Sequence, residues 1–155
     1  MHTLVLGIGN TLLTDEGVGV HAIHYLQQHH ADLAGTEYID GGTLSFTLAG
    51  PIEDAENLIV IDAAQLNENP GTVRTFVGTA MDDYLSSQRQ RSVHEVGLMD
   101  LMSMVRLAGR LPKHRALIGV QPKSLEWGES PSKELAAAIP MVCEQAVQLI
   151  QEWQA

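Results

Sequence analysis

The chain has 155 residues, 45% of them hydrophobic, so it is long enough to bury a core between two or three layers of secondary structure. Its 19 acidic and 9 basic residues give a formal net charge of −10, and no basic cluster is long enough to follow a nucleic-acid backbone. We therefore expect no nucleic-acid partner. No segment resembles a signal peptide or a membrane span, so we expect a cytoplasmic protein with no membrane partner. The single cysteine, Cys143, excludes an internal disulfide and a thiolate-cluster metal site.

Apolar runs rich in β-branched residues predict five strands, at Thr3–Ile8, Glu37–Ile39, Leu58–Ile61, Thr72–Val77 and Ala116–Val120. Helical periodicity predicts helices at Gly17–Gln28, Leu44–Leu48, Val96–Leu107 and Ser132–Trp153. This alternation predicts an α/β three-layer sandwich, in which a mostly parallel, twisted five-stranded sheet carries helices on both faces. The turn signal Asn69-Pro70-Gly71 favours an antiparallel fourth strand. Pro140 is expected to shift, kink or restart the last helix.

A glycine-rich loop, GIGNTLLTDEGVG, follows the first strand and runs from Gly7 to Gly19. Leu12 stands where the dinucleotide-binding fingerprint needs its third glycine, and the loop lacks the Gly-Lys-Ser/Thr ending of a P-loop. The neighbouring acids Asp15 and Glu16 would also repel a phosphate at short range. The loop therefore argues against a nucleotide-binding enzyme and favours contact with a cation or a polarised peptide carbonyl.

Three residues in separate strand-to-helix connections are candidate site residues. Asp15 suits the N-cap of the first helix, so Glu16 is the candidate in this loop. Asp62 directly follows the third strand, where the carboxyl ends of parallel strands border the ligand crevice. His94 precedes the third predicted helix. Two carboxylates and one imidazole suit a borderline divalent metal such as zinc, nickel, cobalt or iron, with coordination positions left open, and the sequence does not choose among them.

Four motifs, taken in order, resemble those of the [NiFe]-hydrogenase maturation endopeptidases. They are GIGNTLLTDEGVG, the turn IDGGT, the strand end IVIDA and the segment SVHEVGL. The resemblance covers nearly the whole chain, which implies one maturation peptidase domain over residues 1–155. It also implies a nickel-dependent, aspartic-type endopeptidase. Such an enzyme removes a short C-terminal extension from the hydrogenase large-subunit precursor after nickel has been inserted.

The resemblance also implies roles for particular residues. Glu16, Asp62 and His94 correspond to the catalytic and metal-contacting positions, and the turn Asp40-Gly41-Gly42-Thr43 corresponds to a motif that engages the substrate. The metal is the nickel that the precursor already carries, so we expect no tightly bound resident metal. A precursor without nickel would offer these ligands no partner, which makes cleavage conditional on nickel loading. The expected partner is the large-subunit precursor, and we expect the peptidase to be a monomer.

The chemistry is open at this point. In one mechanism, Asp62 or Glu16 acts as general base on a water while nickel or His94 stabilises the oxyanion. In a second, nickel acts as a Lewis acid. In a third, the three residues serve recognition alone. Cys143 is a poor nucleophile candidate because its apolar helix predicts a small buried thiol. The alternative function is a nickel carrier that uses the same three ligands without proteolysis, and it would be marked by useful affinity for free nickel.

Overall fold

The computed structural model describes residues 2–88 and 97–155. Within these residues five strands form one sheet, in the spatial order β2-β1-β3-β5-β4. The strands are β1 (Thr3–Ile8), β2 (Thr36–Gly42), β3 (Asn57–Ala63), β4 (Val73–Val77) and β5 (His114–Val120). Strands β2, β1, β3 and β5 run parallel, and β4 pairs antiparallel with β5, as the turn before it predicts.

Helices cover both faces of this sheet, which confirms the predicted three-layer α/β architecture. They are α1 (Val18–His29), α2 (Ala49–Asp54), α3 (Thr79–Ser87), α4 (Leu98–Leu107) and α5 (Lys133–Gln154), with 3₁₀ turns at Thr14–Gly17 and Phe46–Leu48. Helices α1 and α5 pack on one face, and α2, α3 and α4 pack on the other. No helix in the described part of the chain is both long and apolar enough to cross a bilayer.

The central strands β1, β3 and β5 have apolar middle segments because they are buried on both sides, whereas the edge strand β2 is partly exposed. In β3, Leu58 and Val60 enter the core beneath α2–α4, whereas Ile59 and Ile61 enter the core beneath α1 and α5. Successive side chains of a strand point to opposite faces, so a continuous apolar run is what a sheet covered on both faces requires. The same alternation directs Asp62, the next residue, toward the face of α2–α4.

Three helices differ from the sequence-based prediction. The helix predicted at Leu44–Leu48 is instead a 3₁₀ turn at Phe46–Leu48, which leads into α2 at Ala49–Asp54. Helix α3 is not predicted, because it begins after Gly78 in a left-handed conformation (φ 61°), has no side-chain cap, and buries only Met81 and Leu85. Helix α5 neither stops nor restarts at Pro140, which lies inside a continuous helix of 22 residues. The long buried face that α5 lays on the sheet compensates for the backbone hydrogen bond that a proline cannot donate.

Candidate functional site

The loops that follow β1 and β3 lie next to each other at the carboxyl edge of the sheet, and the place where they part is here named the crevice. Strand β1 lies between β2 and β3, and Gly7 is in register with Asp40 on one side and Ile61 on the other. The chain leaves β1 toward β2 on one side and leaves β3 toward β4 on the other side, so the two connections diverge between β1 and β3. In open α/β sheets such a switch point is the usual place for a ligand. Asp62, one residue beyond Ile61, therefore stands at the rim of the crevice.

The 3₁₀ turn Thr14–Gly17, here named the acidic turn, contacts β3 and brings Glu16 to the same edge. Its close approach depends on glycines. Gly9 has a φ of 141°, and a Cβ there would collide with the carbonyl oxygen of Glu16. A Cβ on Gly19 would collide with the carbonyl oxygen of Ile61. The structure thus places the segments that carry Glu16 and Asp62 side by side, and both residues are partly exposed.

Asp15, the other acid of this turn, is fully buried and binds a distant part of the chain. Its carboxylate accepts hydrogen bonds from the backbone N–H groups of Lys123 (2.8 Å), Ser124 (3.0 Å) and Ser132 (2.6 Å), and from the Ser132 hydroxyl (2.8 Å). Burial by itself would raise the pKa of Asp15, but these hydrogen bonds outweigh burial and hold the pKa below its ordinary value. Asp15 therefore fastens the loop between β5 and α5 to the acidic turn as a carboxylate.

This arrangement corrects the expectation that Asp15 caps the first helix. Leu13 is the N-cap of the acidic turn and Gly17 is the N-cap of α1, and neither position has a side-chain cap. Thr14 has a φ of 44°, a strained conformation for a β-branched residue. Contacts with the loop between β5 and α5 hold Thr14 in that conformation, since its N–H donates to the carbonyl of Gly128 at 2.8 Å. The turn is thus built by long-range bonds rather than by local capping.

Asp62 has a neighbour in the helix that the sequence does not predict. Burial raises the pKa of Tyr84, in α3, and the negative charge of Asp62 raises it further. The ring of Tyr84 stacks on that of Phe76, with ring centroids 4.3 Å apart, which fixes the tyrosine on this face of the sheet. Tyr84 is therefore part of the surroundings of Asp62, although no sequence motif points to it.

The predicted turn Asp40-Gly41-Gly42-Thr43 is, through Gly42, the last part of β2, and it adjoins the loop after β1. The N–H of Gly42 donates to Asp40 Oδ1 at 2.9 Å, and the carbonyl of Gly42 accepts from the N–H of Gly9 at 2.8 Å. His24 of α1 places its Nε2 3.6 Å from Asp40 Oδ2, a contact between two half-exposed side chains that the sequence does not reveal. The position of this turn beside the crevice is compatible with its predicted role in substrate engagement, which stays a prediction.

The third predicted ligand, His94, lies outside the described residues, so its place at this edge also stays a prediction. Across residues 2–88 and 97–155, no group of three or more His, Cys, Asp or Glu is arranged to hold a metal ion. Two carboxylates from adjacent loops can contact a metal that another molecule carries, but they do not make a closed structural site.

The thiol of Cys143 is not a catalytic nucleophile. The residue is fully buried, and its Sγ lies 3.4 Å from the carbonyl oxygen of Ala22. Burial raises the pKa of Cys143 to about 12, so the reactive thiolate is not populated near neutral pH. The predicted buried structural thiol is confirmed.

Comparison with known proteins gives one consistent result. The HycI family model, described as hydrogenase maturation protease, matches residues 20–149. The hydrogenase expression/formation protein HupD of Rhodobacter capsulatus is 36% identical over 151 residues, which are 97% of this chain and 71% of the relative. The hydrogenase 2 maturation protease of Escherichia coli K12 is 35% identical over 153 residues, covering 98% of this chain and 92% of the relative.

Solved structures show the same similarity in three dimensions. The hydrogenase maturating endopeptidase HybD from E. coli matches with a TM-score of 0.90 and 34% identity, over 98% of this chain and 93% of its own. The [NiFe] hydrogenase maturation protease HybD from Thermococcus kodakarensis matches with a TM-score of 0.79 and 29% identity, over 97% of this chain and 99% of its own. The similarity therefore extends over the sheet, its helices and the loops at the carboxyl edge.

Proposed function

Because the chain belongs to the hydrogenase maturation protease family, and is therefore a peptidase, we propose that it removes the C-terminal extension of a [NiFe]-hydrogenase large-subunit precursor that has received its nickel. The observation that carries this proposal is the meeting of the acidic turn with the end of β3. That meeting sets Glu16 and Asp62 on adjacent segments of the crevice, where a peptide and its metal could be engaged together.

In this proposal the nickel belongs to the substrate. Glu16 and Asp62 contact it together with His94, and the precursor supplies the remaining ligands. Two carboxylates and an imidazole leave coordination positions open, which suits a metal that is shared with another protein. A precursor without nickel gives the three residues nothing to bind, so its scissile bond is not held in place. The same contacts that position the peptide thus also verify the metal.

The hydrolytic step needs a base and a group that stabilises the oxyanion. One carboxylate, Asp62 or Glu16, takes a proton from a water molecule whose oxygen bonds to the scissile carbonyl carbon. Nickel or His94 stabilises the negative charge on the carbonyl oxygen. When the carbon–nitrogen bond breaks, the proton passes from the carboxylic acid to the leaving amine. Two alternatives give a different pH dependence: nickel activates the carbonyl as a Lewis acid, or the three residues serve recognition alone. In either case the pKa of the acidic limb of the pH–rate profile will not be that of Asp62 or Glu16.

The turn Asp40-Gly41-Gly42-Thr43 is proposed to bind the precursor beside the scissile bond. The hydrogen bonds from Gly42 to Asp40 and from Gly9 to Gly42 fasten this turn to the loop after β1. A Cβ on Gly41 would point toward Leu6 and Leu48, whereas a Cβ on Gly42 would have only the Asp40 carboxylate within 4 Å, so Gly42 leaves the backbone accessible to a peptide. Substrate contact at this turn would therefore be transmitted directly to the loop that leads into the acidic turn.

The test is mass spectrometry of the cognate precursor after incubation with the protein, with and without prior nickel loading. We expect loss of a C-terminal peptide from the nickel-loaded precursor alone. The variants Glu16→Gln, Asp62→Asn and His94→Ala should each abolish this loss. The matched control is Glu144→Gln, which removes one negative charge from an exposed position of α5 and should cleave normally.

Two outcomes would contradict the proposal. Full cleavage by all three variants would remove these residues from the site. If the wild-type protein leaves a folded, nickel-verified precursor intact, the carrier function becomes the better account. Calorimetric titration with free nickel would then decide, because a carrier must hold the ion without the precursor.

A further inference from the structure

The loop between β5 and α5 exposes large apolar side chains beside the acidic turn. Trp127 is 79% exposed, Leu12 is 50% exposed and Leu125 is 44% exposed. These three residues are here named the apolar loop surface. An exposed tryptophan gives up the free energy that its burial would contribute, and in interfaces this residue type is enriched among those that contribute most to binding.

The backbone on both sides of Trp127 is held in place. The carbonyl of Glu126 accepts from the Thr14 hydroxyl at 3.1 Å. Gly128 donates to the carbonyl of Leu12 at 2.8 Å, and its own carbonyl accepts from the N–H of Thr14 at 2.8 Å. Trp127 is therefore an anchor whose backbone is ordered before a partner arrives, which lowers the entropy lost on binding.

The same bonds set Trp127 beside Leu12. Leu13 and Gly128 form a parallel β-bridge, so the residues that precede them, Leu12 and Trp127, are also neighbours across it. The bridge and the hydrogen bond from Gly128 to Leu12 thus hold together the backbones of two segments that each carry an exposed apolar side chain.

This surface is continuous with the proposed cleavage site. Leu12 lies four positions before Glu16 in the same loop. The carboxylate of Asp15 fastens the backbone of Lys123 and Ser124 to the turn that carries Glu16. A peptide whose scissile bond lies at Glu16 would therefore have the apolar loop surface beside it.

The charges around the surface indicate the chemistry of the occupant. Glu126 and Glu129 flank Trp127 and are exposed or partly exposed. The positive charge of Lys123 is paired with Glu134 at 3.0 Å. An apolar anchor among carboxylates is complementary to a segment that carries apolar and basic side chains together.

We propose that the apolar loop surface is the docking site for the segment of the precursor next to its scissile bond. Apolar side chains of that segment pack on Trp127 and Leu12, and a basic side chain faces Glu126 or Glu129. This inference rests on the proposed function, which it extends from the cleaved bond to the recognised sequence. It makes Trp127 a residue that determines substrate affinity and leaves the chemistry to the carboxylates.

The experiment compares Trp127→Ser with a matched control, Leu107→Ser. Leu107 is 89% exposed but ends α4, near the opposite edge of the sheet where β5 begins. For the nickel-loaded precursor, we expect Trp127→Ser to raise KM and Kd about tenfold with kcat unchanged. Trp127→Phe should recover most of the affinity, and Leu107→Ser should behave as the wild type. The Kd of the wild type should also rise as salt is raised from about 0.05 M to about 0.5 M, because salt screens the charge contacts.

Binding and cleavage are measured in parallel, so the two proposals can fail separately. Equal Kd values for wild type and Trp127→Ser would overturn the docking site even if cleavage is efficient. Trp127-dependent binding without cleavage by the wild type would instead overturn the peptidase assignment and leave the docking site standing. Sedimentation of the protein alone provides the last check, since a dimer that Trp127→Ser dissociates would mean that a second copy of this chain occupies the surface.

Discussion

The two acids of the acidic turn belong to different regions of the molecule. Asp15 is buried, and its carboxylate joins the turn to the loop before α5 and to the start of that helix. Glu16, the next residue, is partly exposed at the crevice beside the end of β3. A pair of neighbouring carboxylates in a motif therefore need not share a role. Asp15 builds the turn, and Glu16 is the residue proposed to contact the substrate.

Removal of the Asp15 carboxylate should have the largest effect on stability. Asp15→Ala leaves the N–H groups of Lys123, Ser124 and Ser132 without their acceptor, so we expect the free energy of unfolding to fall by about 3 kcal/mol. Urea denaturation followed by circular dichroism measures it. The control Glu144→Ala, on the exposed face of α5, should change the value by less than about 0.5 kcal/mol. Equal stability of wild type and Asp15→Ala would refute the structural role of this carboxylate.

A methyl group at Gly19 should disturb both the buried part of the molecule and the crevice beside the end of β3. The added Cβ of Gly19→Ala would collide with the carbonyl oxygens of Ile61 and Ile8, so α1 must move away from the ends of β1 and β3. We expect a loss of about 2 kcal/mol in the free energy of unfolding, together with slower precursor cleavage. Gly50→Ala in α2 is the control, since its Cβ would meet nothing within 4 Å and should leave cleavage intact. Cleavage at the wild-type rate by Gly19→Ala would show that the close packing of α1 on these strands does not matter for the reaction.

Lowering the pH should remove the stabilisation that the Asp15 carboxylate gives to the folded protein. Its pKa in the folded protein lies below the unfolded value of about 3.9, so the unfolded chain binds the proton more readily. The stabilisation is fully present above about pH 5 and is lost as the pH falls through the folded-state pKa. The gap in unfolding free energy between wild type and Asp15→Asn should therefore narrow below about pH 4. Urea titrations across this pH range test it, and a gap that widens on acidification would have the wrong sign.

The smallest predicted effect concerns Asp62, at the crevice. The negative charge of Asp62 contributes to the raised pKa of Tyr84, so Asp62→Asn should lower that pKa while burial keeps part of the shift. Ultraviolet titration of tyrosinate formation measures the change, and Tyr84→Phe identifies which of the three tyrosines is responsible. An unchanged Tyr84 titration in Asp62→Asn would place the carboxylate away from α3.

Much of the fold is predictable from the sequence because burial on both faces imposes one pattern. Strand β1 has the predicted bounds, and the cores of β2, β3 and β5 are found where apolar runs occur. The ends are less predictable: β2 extends through Gly41 and Gly42, which are poor strand formers. Gly42 pairs with Ile8 of β1, and the register shifts at Gly41. Helix α3 is missed since Asp82 and Asp83 interrupt its short apolar face.

The residues of the candidate site likewise fall into those that local sequence signals identify and those whose role depends on distant contacts. Glu16 and Asp62 are found from local signals, because a loop after one strand and an acid at the end of another are visible in the sequence. The role of Asp15 is not, since its partner Ser132 lies 117 positions away and nothing local marks the contact. Tyr84 and the contact of His24 with Asp40 likewise arise from packing between elements that are distant in the chain.

The most direct test of the division of roles is single-turnover cleavage of the nickel-loaded precursor by Glu16→Gln, with the urea midpoint of the same preparation measured alongside. The substitution keeps the size of the side chain and removes its charge. The account predicts a cleavage rate at least about 100-fold below that of the wild type, with an unchanged midpoint. A cleavage rate within about twofold of the wild type would contradict it, because Glu16 would then have no part in the reaction.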